Sequence, residues 1–84
     1  MKKVTVYTSP SCPYCVRAKD LLQRRSIPYE EVQISWEDET AWEALEKRSK
    51  MKTVPQIFVD DKCIGGYAEL SALDSSGELS KILV

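Results

Sequence analysis

The chain has 84 residues, 43% of them apolar and 30% charged, with a formal net charge of −1. That makes one small domain, near the size at which a single core is just sufficient. Its interleaved acids and bases exclude a basic nucleic-acid stripe and an acidic disordered tail, and no apolar run is long enough to span a membrane.

Met1-Lys2-Lys3 leads straight into a strand pattern with no apolar signal segment, and three cysteines, an odd number, do not suit a secreted disulfide scaffold. The expected setting is therefore a reducing cytosol. Val4-Thr5-Val6-Tyr7, β-branched and aromatic, reads as a central strand. A polar turn, Thr8 to Ser11, then delivers Cys12-Pro13-Tyr14-Cys15. From Pro13 to Arg25 the spacing of Ala18, Leu21 and Leu22 predicts a helix with one apolar face, its late basic residues suiting the dipole. Ile27-Pro28 ends it. Tyr29 to Ile34 alternates weakly and is expected as a peripheral strand, completing a βαβ unit with parallel pairing.

Ser35-Trp36-Glu37-Asp38 reads as a capping box, with Ser35 the cap of a second helix running to Ser49. Leu45 with Ala41 or Trp42 supplies its buried stripe, and both Trp36 and Trp42 are expected to be packing residues. Arg48, Lys50 and Lys52 form a basic cluster, read as a solvated helix end that together can receive an anion. Thr53-Val54-Pro55 enters the strand Gln56 to Val59, Asp60-Asp61-Lys62 turns, and Cys63-Ile64 returns as the partner of a hairpin. Gly65-Gly66 breaks the chain before a helix from Tyr67 to Asp74, with Leu70 and Leu73 inward. Gly77 ends or bends that helix, and Leu79, Ile82 and Leu83 mark a last short one. The expected class is α/β: one domain over residues 1–84, β-α-β-α-β-β-α, with helices on both faces of one sheet.

The chemistry lies in Cys12 and Cys15. Proline suits the first helical position, so Cys12 becomes the cap of the helix and Cys15 lies one turn inside. The free N–H groups of Tyr14 and Cys15 would point at the Cys12 sulfur, and the helix dipole adds positive potential. At an ordinary cysteine pKa only about 3% is thiolate at neutral pH, so the site favours an activated Cys12. Cys15, nearer the core, is the resolving thiol. Half a zinc site is the competing reading, but Cys63 has no partner cysteine and the chain has no histidine. Cys63 itself reads as a small apolar residue of the hairpin.

Cys12-Pro13-Tyr14-Cys15, Thr53-Val54-Pro55 and Gly65-Gly66, in this order and spacing, resemble a dithiol glutaredoxin over essentially the whole chain. The resemblance implies a thioredoxin fold with a four-stranded mixed sheet and an enzyme that reduces protein disulfides and protein–glutathione mixed disulfides. Glutathione would be its co-substrate, with no bound cofactor and no metal. It also implies a cytoplasmic monomer whose partners are glutathione and disulfide-containing or glutathionylated proteins, ribonucleotide reductase being the common family example, with neither nucleic acid nor membrane. Residue by residue, it makes Cys12 the nucleophile and Cys15 the resolving cysteine, and sets Tyr14 beside the glutathione sulfur. Thr53, Val54 and Pro55 match the family's cis-proline loop, whose backbone pairs with the glutathione cysteine. Gly66, Tyr67, Ala68 and Glu69 would meet the γ-glutamyl group at a helix N-terminus, and one of Arg48, Lys50 and Lys52 the glycyl carboxylate.

The chain departs from the family pattern twice. Ser9 stands where members often carry lysine, and Ala68 stands where an aspartate commonly pairs with the glutathione amine, leaving Glu69, about 100° further round the helix, as the remaining acid. That second departure keeps open a donor recharged by a thioredoxin reductase. A carrier of a [2Fe–2S] cluster shared between two chains is a third reading, disfavoured by Pro13.

Overall fold

The computed structural model describes residues 2–84. Its strands are β1 (Val4–Thr8), β2 (Glu30–Gln33), β3 (Gln56–Val59) and β4 (Lys62–Gly65), and its helices α1 (Pro13–Arg24), α2 (Glu39–Ser49), α3 (Tyr67–Ser76) and α4 (Leu79–Leu83). The sheet order is β2-β1-β3-β4. β1 pairs parallel with β2, Thr5 opposite Glu30, and antiparallel with β3, Val6 opposite Ile57, while β3 and β4 form an antiparallel hairpin. The mixed four-stranded sheet, the central β1 and the peripheral β2 are those expected.

Alternation along β1 and β3 divides the core in two, because successive strand residues face opposite sides. Val4, Val6, Ile57 and Val59 pack with Ala18, Leu21 and Leu22 of α1, Leu70 of α3, and Leu79 and Leu83 of α4. On the other side Phe58 meets Leu45 of α2 and Ile34, with Tyr7, Ala41, Trp42 and Cys63 around them. No helix among the described residues is long and apolar enough to cross a membrane.

One expectation changes. Ser35 does not cap α2; Asp38 does, accepting from the Ala41 N–H at 3.1 Å. The Ser35 hydroxyl instead donates to the Glu37 carboxylate at 2.7 Å, a local bond that competes with capping. Trp36 packs, stacked on half-buried Trp42 with ring centroids 5.6 Å apart, but does so at the surface, 53% exposed.

Candidate active site

Ser11 adopts a left-handed φ of 58° and turns the chain out of β1. Cys12 follows as the extended cap of α1, with Pro13 first in the helix. The Cys15 N–H donates to Cys12 Sγ at 3.2 Å. Cys15 rather than Tyr14 and Cys15 together is thus the amide that meets the sulfur. The two cysteines form a disulfide, their Cα atoms 5.2 Å apart, within the usual range for such a bond. Cys12 is half-buried and Cys15 is 2% exposed, so an incoming sulfur reaches the first and not the second.

The other motifs converge on this pair. Val54–Pro55 is a cis peptide bond, and the Val54 carbonyl oxygen lies 3.9 Å from Cys12 Sγ. Gly66 caps α3 against the same loop: a Cβ there would lie 3.2 Å from the Pro55 carbonyl oxygen, a tight contact that glycine avoids. The Tyr14 ring, 55% exposed, lies 6.0 Å from that of Tyr67 and under the Arg17 guanidinium at 5.0 Å. Contacts thus tie Cys12 to Val54, Pro55 to Gly66, and Tyr14 to Tyr67.

At the entrance to α3, Ala68 is exposed, and the Glu69 carboxylate accepts from the Gly66 N–H at 2.7 Å. Glu69 caps its own helix. Of the basic cluster, Arg48 donates to the Tyr7 hydroxyl at 2.8 Å and lies 4.6 Å over the Phe58 ring, on the α2 side of the sheet. Lys50 is the left-handed cap of α2, and Lys52, beside Thr53, is exposed near Glu46 at 4.0 Å. Ser9 is buried, its hydroxyl donating to the Ile34 carbonyl at 2.7 Å. Burial pushes the half-buried Cys63 thiol above its ordinary range, and the nearby Glu69 charge adds to this, against the Gly65 amide and Arg48. With Met51 Sδ at 3.9 Å, it is a poor source of thiolate.

One positioning residue escaped the sequence reading. Gln56, fully buried, donates through Nε2 to the carbonyls of Thr53 at 2.8 Å and Met51 at 3.3 Å, pinning the loop before Pro55. Its signal was a lone amide opening the apolar run Ile57-Phe58-Val59.

A half-buried sulfur at a helix N-terminus, bonded to its partner one turn on, is a thiol–disulfide centre, and the sheet that carries it has the thioredoxin fold. The glutaredoxin family model matches residues 4–64. The chain is 43% identical over 83 residues to glutaredoxin 3 of Escherichia coli, covering 99% of each, and 42% identical over 81 residues to glutaredoxin 1 of Rickettsia conorii, covering 95% of this chain and 79% of that one. A crystal structure of a buckwheat glutaredoxin–glutathione complex superposes with a TM-score of 0.88 at 26% identity, covering 98% of this chain and 76% of that one. The chain belongs to the glutaredoxin family, a class of thiol oxidoreductases.

Proposed function

We propose that the chain is a glutathione-dependent oxidoreductase that reduces protein–glutathione mixed disulfides and protein disulfides in the cytoplasm. The observation that carries this is the Cys15 N–H donating to Cys12 Sγ at 3.2 Å at the start of α1, which favours a charged sulfur over a neutral one. In the reduced protein the Cys12 thiolate attacks the glutathione sulfur of a mixed disulfide, and the protein cysteine leaves as thiolate. A second glutathione thiolate then attacks the glutathione on Cys12, giving oxidised glutathione and restoring Cys12. With an intramolecular protein disulfide, Cys12 bonds one protein sulfur, Cys15 attacks Cys12, and the protein leaves as a dithiol. The resulting Cys12–Cys15 disulfide is reduced by two glutathione molecules.

In this reading Tyr14 and Tyr67 flank the glutathione sulfur, and Thr53, Val54 and Pro55 receive its cysteine backbone as an added strand. The N–H groups of Tyr67 and Ala68 take the γ-glutamyl carboxylate, since Glu69 already occupies the Gly66 N–H. Lys50 or Lys52 supplies the cation for the glycyl carboxylate, because Arg48 is committed to Tyr7 and Phe58. The buckwheat complex, with glutathione bound on the same fold, supports the pairing of fold and ligand.

The test is reduction of a glutathione mixed disulfide coupled to glutathione reductase. Cys12→Ser should abolish turnover and Cys15→Ser retain it; turnover surviving Cys12→Ser would overturn the assignment. The lack of an aspartate at Ala68 favours one second reading, a donor recharged by a thioredoxin reductase. Turnover with NADPH and that reductase, but not with glutathione, would establish it.

A further inference from the structure

The sheet order lines up the chain's chemistry at one end. β1, β2 and β4 finish there and β3 begins there, so the adjoining segments follow in the order Ser35-Trp36, Ser9 to Cys12, Val54-Pro55 and Gly66. Neighbouring strands lie about 4.8 Å apart. Cys12 therefore has the proposed glutathione groove on one flank and Trp36 on the other.

Trp36 is exposed yet held. Its Nε1 donates to the Pro10 carbonyl at 2.9 Å, and its ring stacks on Trp42 with 15° between the planes. Trp42 Nε1 in turn donates to the Ser35 carbonyl at 3.1 Å. Both indole donors are satisfied within the chain, so the surface left to solvent is apolar and fixed. A rigid aromatic loses little conformational freedom when a partner covers it. Pro10 lies two residues from Cys12, at most about 7 Å along the chain.

Trp36 is not isolated. Among the described residues the exposed large apolar side chains are Tyr14, Val16, Trp36 and Val84. Single exposed apolar residues need no explanation, but three of these four adjoin the Cys12 turn, Tyr14 and Val16 from the first turn of α1. Beyond Trp36 come Glu37, Asp38 and Glu39, all exposed.

We propose that Trp36, with Val16, docks the polypeptide half of a protein–glutathione mixed disulfide: a segment with an aliphatic or aromatic residue beside its cysteine and a lysine or arginine beyond. The acidic run after Trp36 supplies the charge complement. The inference rests on the glutathione reading, which places the tripeptide on the opposite flank. When Cys12 attacks the glutathione sulfur, one disulfide replaces another with no net oxidation. The polypeptide cysteine departs as thiolate on the Trp36 flank and takes its proton from water.

The test uses two glutathionylated peptides of equal length, one with leucine and lysine around the cysteine and one with serine and glutamate, beside the small mixed disulfide of glutathione and mercaptoethanol. The intact protein should prefer the first peptide by about tenfold in kcat/KM, the scale of losing one aromatic anchor. Trp36→Ser should remove most of that preference, Trp36→Phe should keep it, and Glu39→Lys should shift it toward the second peptide. Equal kcat/KM for the two peptides, or a preference that survives Trp36→Ser, would overturn the proposal. So would an equal loss on all three substrates with Trp36→Ser, which would make Trp36 a brace for the Pro10 turn and nothing more. If the small mixed disulfide is not turned over at all, the glutathione reading itself fails. Affinities of the two peptides with cysteine replaced by serine, read by tryptophan fluorescence, then decide docking by the same preference.

Discussion

An aspartate in place of Ala68 should tighten the hold on reduced glutathione. Ala68 is exposed in the first turn of α3, and its acidic neighbour Glu69 is already bound to the Gly66 N–H at 2.7 Å. In the proposed glutathione complex the γ-glutamyl ammonium would meet no unengaged carboxylate on that turn, and Ala68→Asp would supply one. An ion pair at so exposed a place contributes about 0.5–1 kcal/mol, which at about 1.4 kcal/mol per tenfold lowers the KM for glutathione roughly two- to fivefold. The new charge also meets the positive end of α3, adding about 0.3–1 kcal/mol of stability. Steady-state reduction of hydroxyethyl disulfide, with glutathione varied and glutathione reductase in excess, reads the first effect; thermal unfolding reads the second. Ala68→Asn, equal in shape and uncharged, should leave KM where it is, and molar salt should erase the gain. A rise in Tm with KM unmoved would refute the reasoning, since the carboxylate would be in place with no ammonium to meet.

Asp38→Ala should cost about 1 kcal/mol through loss of the α2 cap, and Ser35→Ala less than about 0.5 kcal/mol; denaturant unfolding showing the reverse order would reinstate Ser35 as the cap. Gly65 has φ 119°, and a Cβ there would lie 2.6 Å from Glu69 Cγ, so Gly65→Ala should destabilise by more than about 1 kcal/mol; an unchanged Tm would contradict that crowding. The Thr8 hydroxyl, and secondarily Lys19, hold the Glu31 carboxyl below its usual range. Its contribution to stability is present above that range and lost as pH falls through the lowered value, because the unfolded chain then binds the extra proton. Glu31→Gln should flatten the acid limb of the stability profile, and parallel profiles for the two proteins below about pH 4 would remove Glu31 from the account.

The sequence disclosed most where one physical rule acted alone. Val4 to Tyr7, the Ala18-Leu21-Leu22 face and Gly77 each carry a local signal strong enough to place an element, and Pro13 after Cys12 fixes the start of α1. It disclosed least where two local options competed. Ser35 and Asp38 both suit a helix cap, and only the path of the chain from β2 decides for Asp38. Trp36 carries no mark of exposure beyond standing alone among polar neighbours. In the site, the motifs announced Cys12, Cys15 and the loop at Pro55. The role of Glu69 as a cap and the engagement of Arg48 with Phe58 and Tyr7 depend on contacts between segments distant in sequence. So does Gln56 as a clamp, since its bonds fall on carbonyls whose direction no residue type encodes.

The unequal halves of the core bear on motion. Among the described residues ten buried side chains join α1, α3 and α4 to the sheet, whereas three, Leu45 of α2 itself with Ile34 and Phe58, join α2 to it. Local opening takes the route that uncovers least apolar surface, so the amides of α2 should exchange with solvent while α1, β1 and β3 stay closed. The cysteine pair then belongs to the last part of the molecule to open. The Trp36–Trp42 stack, fixed while the molecule is closed, adjoins the first, so the flank proposed to meet a polypeptide opens separately from the sulfur chemistry beside it.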